Sequence, residues 1–232
     1  MDKTIRLIEE PYPLRKERKG GAASLMLAAQ MLEACRMKDD GMEIPHIDAV
    51  ATTTFGIPTG FLARMDEIGI VKTCEYLSGM ADETDAEDPI FQKYFNFFTP
   101  ARSLAERCEK GREAGAAPLW KAGAVKDAEP KDFMVVDLLK KRFQAVAFIT
   151  ATEIVEEEIL EMAEVEKLCR EGFGWREGPF AMMNRMGIAE AMRKVTEKME
   201  MSHRQEINFP ITNLLITQAN KDEPWPLNSK IQ

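Results

Sequence analysis

The sequence predicts an all-α protein built from two tandem copies of one helical unit. The first observation behind this prediction is an internal repeat, in which residues 55–70 align with residues 173–188 without a gap. Three glycine pairs lie 118 positions apart (174 − 56, 178 − 60 and 187 − 69). That spacing is too long for a solenoid repeat and is typical of a duplicated small domain. The second observation is helical spacing of apolar residues along most of the chain, with no segment that requires a strand.

The first copy is predicted to contain five helical stretches. A long helix begins after Gly20-Gly21 and ends at Gly41, which stands where a C-terminal glycine belongs. The next helix has Pro45 in its first turn and ends at Gly56. Helices over 60–68 and 70–79 follow, and a further helical stretch covers 101–114.

The second copy opens with a long predicted helix over residues 131–159. Glu153 and Glu156–Glu158 place negative charge at its C-terminal end, where the helix dipole disfavours carboxylates. Two explanations stay open: either the helix ends early, or basic neighbours compensate the charge. The tail from Ile207 contains three prolines and cannot form one continuous helix.

Together these patterns divide the chain into five segments. We expect an N-terminal arm (1–19), a first helical repeat (20–115), a linker (116–130), a second helical repeat (131–200) and a C-terminal tail (201–232). The arm is assigned from Pro11, Pro13 and a run of charged residues, and the linker from Gly123 and two prolines.

Composition excludes several classes of protein. The net charge of −8 argues against nucleic acid as a partner, because phosphate binding needs a basic surface. The longest apolar run, residues 25–32, is too short to span a membrane, and the N-terminus lacks the apolar core of a signal peptide. We therefore expect a cytoplasmic protein.

Cysteine and histidine spacing predicts neither a metal site nor a disulfide framework. The four cysteines are far apart and contain no CxxC pair: Cys35, Cys74, Cys108 and Cys169. Reduced, partly buried thiols are expected, as in most cytoplasmic proteins. The two histidines are isolated from each other and from the cysteines, so no metal ligand is predicted.

One segment of the second copy resembles a known family. It resembles the signature of the C-terminal helical domain of 3-hydroxyacyl-CoA dehydrogenases, which contains Gly-x-Gly, then Gly-Pro-Phe, then a short helix and a further glycine. Here it reads Gly172-Phe-Gly-Trp-Arg-Glu-Gly-Pro-Phe-Ala-Met-Met-Asn-Arg-Met-Gly. Two tandem copies are similar to the dehydrogenase portion of multifunctional fatty-acid oxidation enzymes. The resemblance implies that each copy has a 6-phosphogluconate-dehydrogenase C-terminal-like helical fold.

The repeated glycines have a structural role that is independent of the family. Gly56 and Gly174 can adopt the left-handed conformation that ends a helix, and Gly178-Pro179 can begin the next one. The motif therefore identifies a fold rather than an active site. Its residues are Gly56, Gly60, Gly69, Gly174, Gly178, Pro179 and Gly187.

Departures from the family bear on activity. In the family, an N-terminal Rossmann domain holds the nucleotide and supplies the catalytic histidine–glutamate pair. This sequence has no Gly-x-Gly-x-x-Gly after a strand, so no catalytic residue or cofactor site is predicted, and NAD is expected only through a partner. The family also has an asparagine at the start of the long helix, just before an arginine, facing the catalytic centre. The matching positions here are Ser24 and Lys141.

The first hypothesis is the substrate-binding and dimerising part of a 3-hydroxyacyl-CoA dehydrogenase. Its partners would be a separate Rossmann-domain polypeptide, a second copy of itself and an acyl-CoA ligand. A pocket that binds an apolar acyl chain is lined by apolar side chains. The candidate pocket residues are Phe55, Phe61, Phe173, Trp175, Phe180 and Met183. The alternative for each of these side chains is a place in the core.

The second hypothesis is a non-catalytic scaffold of an acyl-CoA-processing complex. Its tail would grip a partner through apolar side chains, namely Phe209, Leu214, Leu215, Ile216 and Trp225. A third hypothesis assigns other chemistry to the helical cleft, with Glu153 and Glu156 as acid–base candidates, or the binding of free CoA esters. Carboxylates on a helix usually lie on its solvated face.

Overall fold

A computed structural model describes residues 21–82, 93–94, 96–114, 120 and 130–227. Within these ranges the protein has ten α-helices and no strand, which confirms the all-α prediction. The predicted arm (1–19) and all of the predicted linker (116–130) except Trp120 and Pro130 lie outside the described residues.

The helices follow the predicted order. The first copy contains α1 (Gly21–Asp39), α2 (Ile44–Phe55), α3 (Phe61–Ile68), α4 (Ile70–Asp82) and α5 (Arg102–Ala114). The second contains α6 (Phe133–Glu156), α7 (Met162–Lys167), α8 (Pro179–Met186) and α9 (Ile188–His203), and the tail contains α10 (Asn213–Lys221). A single π-helical turn, Leu168–Gly172, extends α7.

The backbone repeats as closely as the sequence does. Helices α3 and α8 have identical lengths, and each begins directly after a glycine of the motif. Gly56 and Gly174 have φ angles of 74° and 72°, in the left-handed region predicted for them. Gly69 and Gly187 also match, with φ angles of 92° and 91°. The duplication is therefore present in the structure as well as in the amino-acid sequence.

The two copies share one hydrophobic core around the long helices α1 and α6. These helices pack against each other, and α6 also contacts α2, α8, α9 and α10. Residues 21–37 of α1 are all buried, as is typical of a central helix surrounded by others. Because the core is shared, each copy covers apolar surface that the other would otherwise expose to water.

Basic compensation explains the acidic end of α6. Lys93 Nζ lies 2.9 Å from Glu153 Oε1 and 3.0 Å from Glu157 Oε1. Glu156 accepts a hydrogen bond of 2.6 Å from the Leu214 backbone N–H, at the start of α10. The helix also ends at Glu156, three residues earlier than predicted. Both of the open explanations therefore contribute.

The tail belongs to the core, so the prediction of a partner-gripping arm is wrong for its largest side chains. Phe209 lies against Phe97 at 5.6 Å between ring centroids, and Trp225 lies against Phe180 at 5.1 Å. Leu215 is fully buried. Burial on the same chain leaves these side chains unavailable to a partner.

The prediction of four reduced thiols is wrong for one pair. Cys74 on α4 and Cys108 on α5 form a disulfide, with their Cα atoms 5.8 Å apart. Packing of α4 on α5 brings together two residues that are 34 positions apart in sequence. Cys35 and Cys169 are free and buried. No helix in the described part of the chain is long and apolar enough to cross a membrane.

Candidate functional site

A buried carboxylate stands behind the glycine motif in each copy. Asp48 of α2 accepts hydrogen bonds from the backbone N–H groups of Leu62 and Ala63, at 2.9 and 2.8 Å, in the first turn of α3. Glu166 of α7 accepts from Phe180 and Ala181, at 2.8 and 3.3 Å, in the first turn of α8. Both carboxylates satisfy helix N–H groups that have no partner within their own helix.

This arrangement explains why two positions of the motif are glycines, and Gly178-Pro179 begins α8 as predicted. Gly60 and Gly178 have φ angles of −69° and −80°, which any residue can adopt. A Cβ atom at Gly60 would lie 2.3 Å from Asp48 Cγ, and one at Gly178 would lie 2.4 Å from Glu166 Cδ. These positions need glycine because a carboxylate occupies the space, and the motif is a helix-capping device.

The cap could have been found in the sequence. Asp48 and Glu166 are also 118 positions apart (166 − 48), so the repeat marks them as clearly as it marks the glycines. Burial raises the pKa of Asp48 to about 6, although the two N–H groups act in the opposite direction. Burial likewise raises the pKa of Glu166.

Four of the predicted pocket residues form one aromatic cluster at the junction of the two copies. Phe55 stacks on Trp175 at 4.1 Å between centroids and meets Phe61 at 5.7 Å, while Phe173 lies 5.9 Å from Trp175. A backbone hydrogen bond of 2.7 Å from Arg176 to Phe55 joins the same two segments. The cluster thus links the first-copy glycine motif to that of the second copy.

Little open space accompanies these predicted residues. Phe61, Phe173 and Trp175 line a cavity of about 20 Å³, which is close to the room that one water molecule needs. Phe180 and Met183 are fully buried, and Phe180 packs on Trp225 instead of joining the cluster. In this structure all six residues pack mainly as core, and their role as an acyl pocket stays a prediction.

A larger cavity lies between the first turns of α6 and the C-terminal half of α9. Its volume is about 310 Å³, at the lower end of the range for small-molecule sites. The lining combines four apolar side chains with charged groups of both signs. The lining residues are Met134, Val135, Asp137, Leu138, Lys141, Arg142, Lys194, Glu197, Lys198 and Met201.

Two of the lining residues, Arg142 and Lys198, belong to a buried ionic network. Glu33 Oε1 accepts hydrogen bonds from Arg142 Nε at 2.5 Å and from Lys198 Nζ at 2.9 Å. Burial alone would raise the pKa of Glu33, but the charges of Arg142 and Lys198 lower it to about 2. Burial lowers the pKa of Lys198 to about 8 in spite of Glu33. Asp40 binds the far side of Arg142 at 2.5 Å.

Two polar atoms of this network have no partner among the described residues. They are Arg142 Nη2 and Glu33 Oε2, both of them buried. An unpaired buried donor costs about 1–3 kcal/mol, so native structures seldom keep one without a reason. Arg142 lines the cavity with other atoms, because its Nη2 is buried.

The two copies differ at this place. Lys194 of α9 corresponds to Tyr76 of α4, and Lys141 of α6 corresponds to Ser24 of α1. In the first copy the Tyr76 hydroxyl donates to the Ser24 carbonyl at 2.8 Å, which joins the two helices directly. In the second copy two lysines stand there beside the 310 Å³ cavity. Sequence reasoning noted Lys141 but missed Lys194, Lys198 and Glu33, which lie far apart along the chain.

Other reactive side chains offer little for catalysis. Burial raises the pKa of both free thiols, Cys35 and Cys169, well away from the range of a nucleophilic cysteine. Glu153 is held by Lys93 and by the Tyr94 hydroxyl at 3.3 Å. Within the described ranges, no three His, Cys, Asp or Glu residues are grouped so that they could hold a metal ion.

Comparison with known families agrees with the duplicated architecture. The family model described as "3-hydroxyacyl-CoA dehydrogenase, C-terminal domain" matches residues 20–115 and 139–222. Each matched segment contains one capped glycine motif, and the second also contains α10. No curated protein matches the chain at a significant level.

Proposed function

Because this chain belongs to the family of 3-hydroxyacyl-CoA dehydrogenase C-terminal domains, we propose that it serves as the helical subunit of such a dehydrogenase in acyl-CoA metabolism. NAD and the catalytic residues come from a separate Rossmann-fold polypeptide. The helical chain contributes a wall of the acyl cleft and an interface for self-association. The nucleotide reaches the complex only through that partner.

The observation that carries this proposal is the exposed apolar start of α6 beside the 310 Å³ cavity. Phe133 and Met134 are 76% and 74% exposed, the highest values for large apolar side chains in the described residues. Exposed apolar groups of this size are typical of protein interaction sites. Lys141, at the position where the family has the asparagine that faces the catalytic centre, lies on the same helix and lines the cavity.

Co-purification from the native host tests the proposal. A Rossmann-fold polypeptide should accompany the chain, and the pair should oxidise 3-hydroxyacyl-CoA with NAD. The double variant Phe133→Glu with Met134→Glu should lose the partner, because charges placed in an apolar interface oppose association. Val71→Glu is the matched control, since Val71 is also exposed (44%) but lies on α4. Loss of the partner in the control as well would contradict the docking site.

A second candidate function, a non-catalytic scaffold, is favoured by the residues that replace the family's asparagine. Ser24 is buried, and its backbone carbonyl accepts a hydrogen bond from the Tyr76 hydroxyl. Lys141 Nζ lies 3.1 Å from both Asp137 and Glu197. Neither position offers an amide to a substrate. A co-purified partner without a nucleotide site, and no oxidation of 3-hydroxyacyl-CoA by the complex, would select this function.

The pure chain should bind NADH no better than an unrelated protein in a fluorescence titration. The reason is that its described residues contain no strand and its sequence contains no dinucleotide-binding glycine motif. Saturable micromolar binding would contradict the requirement for a Rossmann-fold partner.

We also propose a cytoplasmic location. The Cys74–Cys108 disulfide argues against it, because disulfides are typical of oxidising compartments. Lysis of the native host directly into a denaturing thiol-alkylating buffer tests it. Four alkylated cysteines fit the cytoplasm, whereas two indicate that the disulfide is present in the cell.

A further inference from the structure

We propose that the Cys74–Cys108 bond is a reversible thiol–disulfide switch that holds α5, and through α5 the side chain of Trp120, against α3. The switch lies in the first copy and needs neither NAD nor a partner polypeptide, so it goes beyond the proposed function. It also reconciles a disulfide with a cytoplasmic location, because cytoplasmic disulfides are usually transient and redox-sensing.

Helix α5 has a weak apolar anchor of its own. Among residues 102–109, whose side chains the structure describes, Leu104 alone is buried. Gly111 lies within the same helix and weakens it further, since glycine is among the poorest helix formers. The covalent bond from Cys108 to Cys74 of α4 therefore matters more to α5 than it would to a helix with a full apolar face.

Helix α5 in turn holds Trp120 against α3. The guanidinium of Arg107, the residue before Cys108, lies 4.7 Å from the centroid of the Trp120 ring. On the α3 side, Trp120 Nε1 lies 3.3 Å from Met65 Sδ, and the Trp120 backbone N–H donates to Asp66 at 2.7 Å. Trp120 is only 4% exposed. Detachment of α5 would remove the cation–π contact and expose the indole ring to water.

The second copy has the same tryptophan contact without a switch. Trp225, which follows α10, donates its backbone N–H to Asn184 at 2.6 Å, and Asn184 lies 118 positions after Asp66 (184 − 66). The position that matches Cys74 is Met192 (192 − 74), and α10 contains no cysteine. Both copies therefore dock a tryptophan on the short helix of the glycine motif, but redox chemistry can act on the first one alone.

Opening and closing are thiol–disulfide exchanges with a low-molecular-weight thiol such as glutathione. Cys108 is partly exposed and Cys74 is 3% exposed, so a glutathione thiolate attacks the Cys108 sulfur and Cys74 leaves as a thiolate. A second glutathione thiolate attacks the glutathione sulfur of this mixed disulfide and releases Cys108. The two cysteines take up the protons of the two glutathione thiols, and one glutathione disulfide is formed. Closing reverses both steps.

Equilibration of the purified chain in glutathione buffers of varied thiol-to-disulfide ratio tests the switch. The number of thiols that can be alkylated after denaturation should rise from two to four as the ratio rises. Over the same ratios, hydrogen exchange in α5 should become at least about tenfold faster, whereas exchange in α10, the matched control, should be unchanged. Two thiols at every ratio, or four at every ratio, would overturn the proposal. Equal acceleration in α5 and α10 would also overturn it, because it indicates a general loss of stability.

Two variants test the link from α5 to Trp120. Reduction should increase the quenching of tryptophan fluorescence by acrylamide, and Trp120→Phe should remove that increase, because Trp175 and Trp225 lie outside the first copy. An equal increase in the Trp120→Phe variant would overturn the link. Cys108→Ser should show the fast α5 exchange of the reduced protein at every glutathione ratio. If that variant fails to fold, the titration of the wild-type chain remains decisive.

Discussion

Replacement of Gly178 by alanine should destabilise the protein through Glu166, even though the backbone at Gly178 is unstrained. The new methyl carbon would lie 2.4 Å from Glu166 Cδ and from both of its carboxylate oxygens. The carboxylate must move away, and it then loses hydrogen bonds from Phe180 and Ala181 at 2.8 and 3.3 Å. The glutamate side chain is buried, so it has little free space to enter.

The expected loss of stability follows from these contacts. A hydrogen bond to a charged group contributes roughly 1.5–3 kcal/mol, and the two bonds here differ in length. Overpacking adds roughly 1–3 kcal/mol where the carboxylate cannot retreat fully. Alanine recovers about 0.4–1 kcal/mol by restricting the unfolded chain. The net change for Gly178→Ala should therefore be about 2–4 kcal/mol of unfolding free energy.

A double-mutant cycle distinguishes this mechanism from backbone strain. Glu166→Ala removes the obstructing carboxylate, so adding Gly178→Ala to it should cost nothing or slightly stabilise the chain. The coupling energy from urea unfolding, followed by circular dichroism, should be at least about 2 kcal/mol. The same cycle applies to Gly60 and Asp48 in the first copy. Additive effects in both cycles would refute the capping explanation.

Two further predictions concern stability. The pKa of Glu33 in the folded protein is about 2, below its ordinary value of 4.5. The ionised side chain therefore stabilises the fold by roughly 3 kcal/mol above pH 4.5, and this contribution is lost as the pH falls towards 2. In urea unfolding, the loss of unfolding free energy caused by Glu33→Gln, relative to the exposed control Glu200→Gln, should therefore shrink between pH 4.5 and pH 2. A loss that does not depend on pH would contradict the ionic network. Cys74→Ser should cost about 3–4 kcal/mol, because its disulfide with Cys108 closes 34 residues. The cost should disappear when wild type and variant are compared in reductant, and a loss that persists would mean that packing rather than the crosslink is responsible.

Much of the fold could be predicted because its signals are local. The apolar spacing of α1, the proline at the start of α2 and the glycine after it each depend on a few neighbouring residues. The repeat predicts the same helical unit twice, so the helices assigned to one copy support those assigned to the other. The helix bounds consequently agree to within a few residues.

The candidate site could not be predicted in the same way. Glu33 lies on α1, Arg142 on α6 and Lys198 on α9, and a buried charge is indistinguishable from a solvated one in a sequence. Helical patterning suggests which face is buried, but it does not say which charged residue from another helix will meet it. For the same reason, the tail aromatics were expected at a partner surface and lie in the core.

The sequence by itself determined the duplication, the all-α class and the positions of the left-handed glycines, because backbone propensity and periodicity act over a few residues. Only the tertiary structure decided why Gly60 and Gly178 are glycines, which cysteines pair, and where charged side chains of both signs line a cavity. These features depend on distances between atoms that are far apart along the chain. Such distances are set by how α1 and α6 pack together, and that packing minimises exposed apolar surface over the whole molecule.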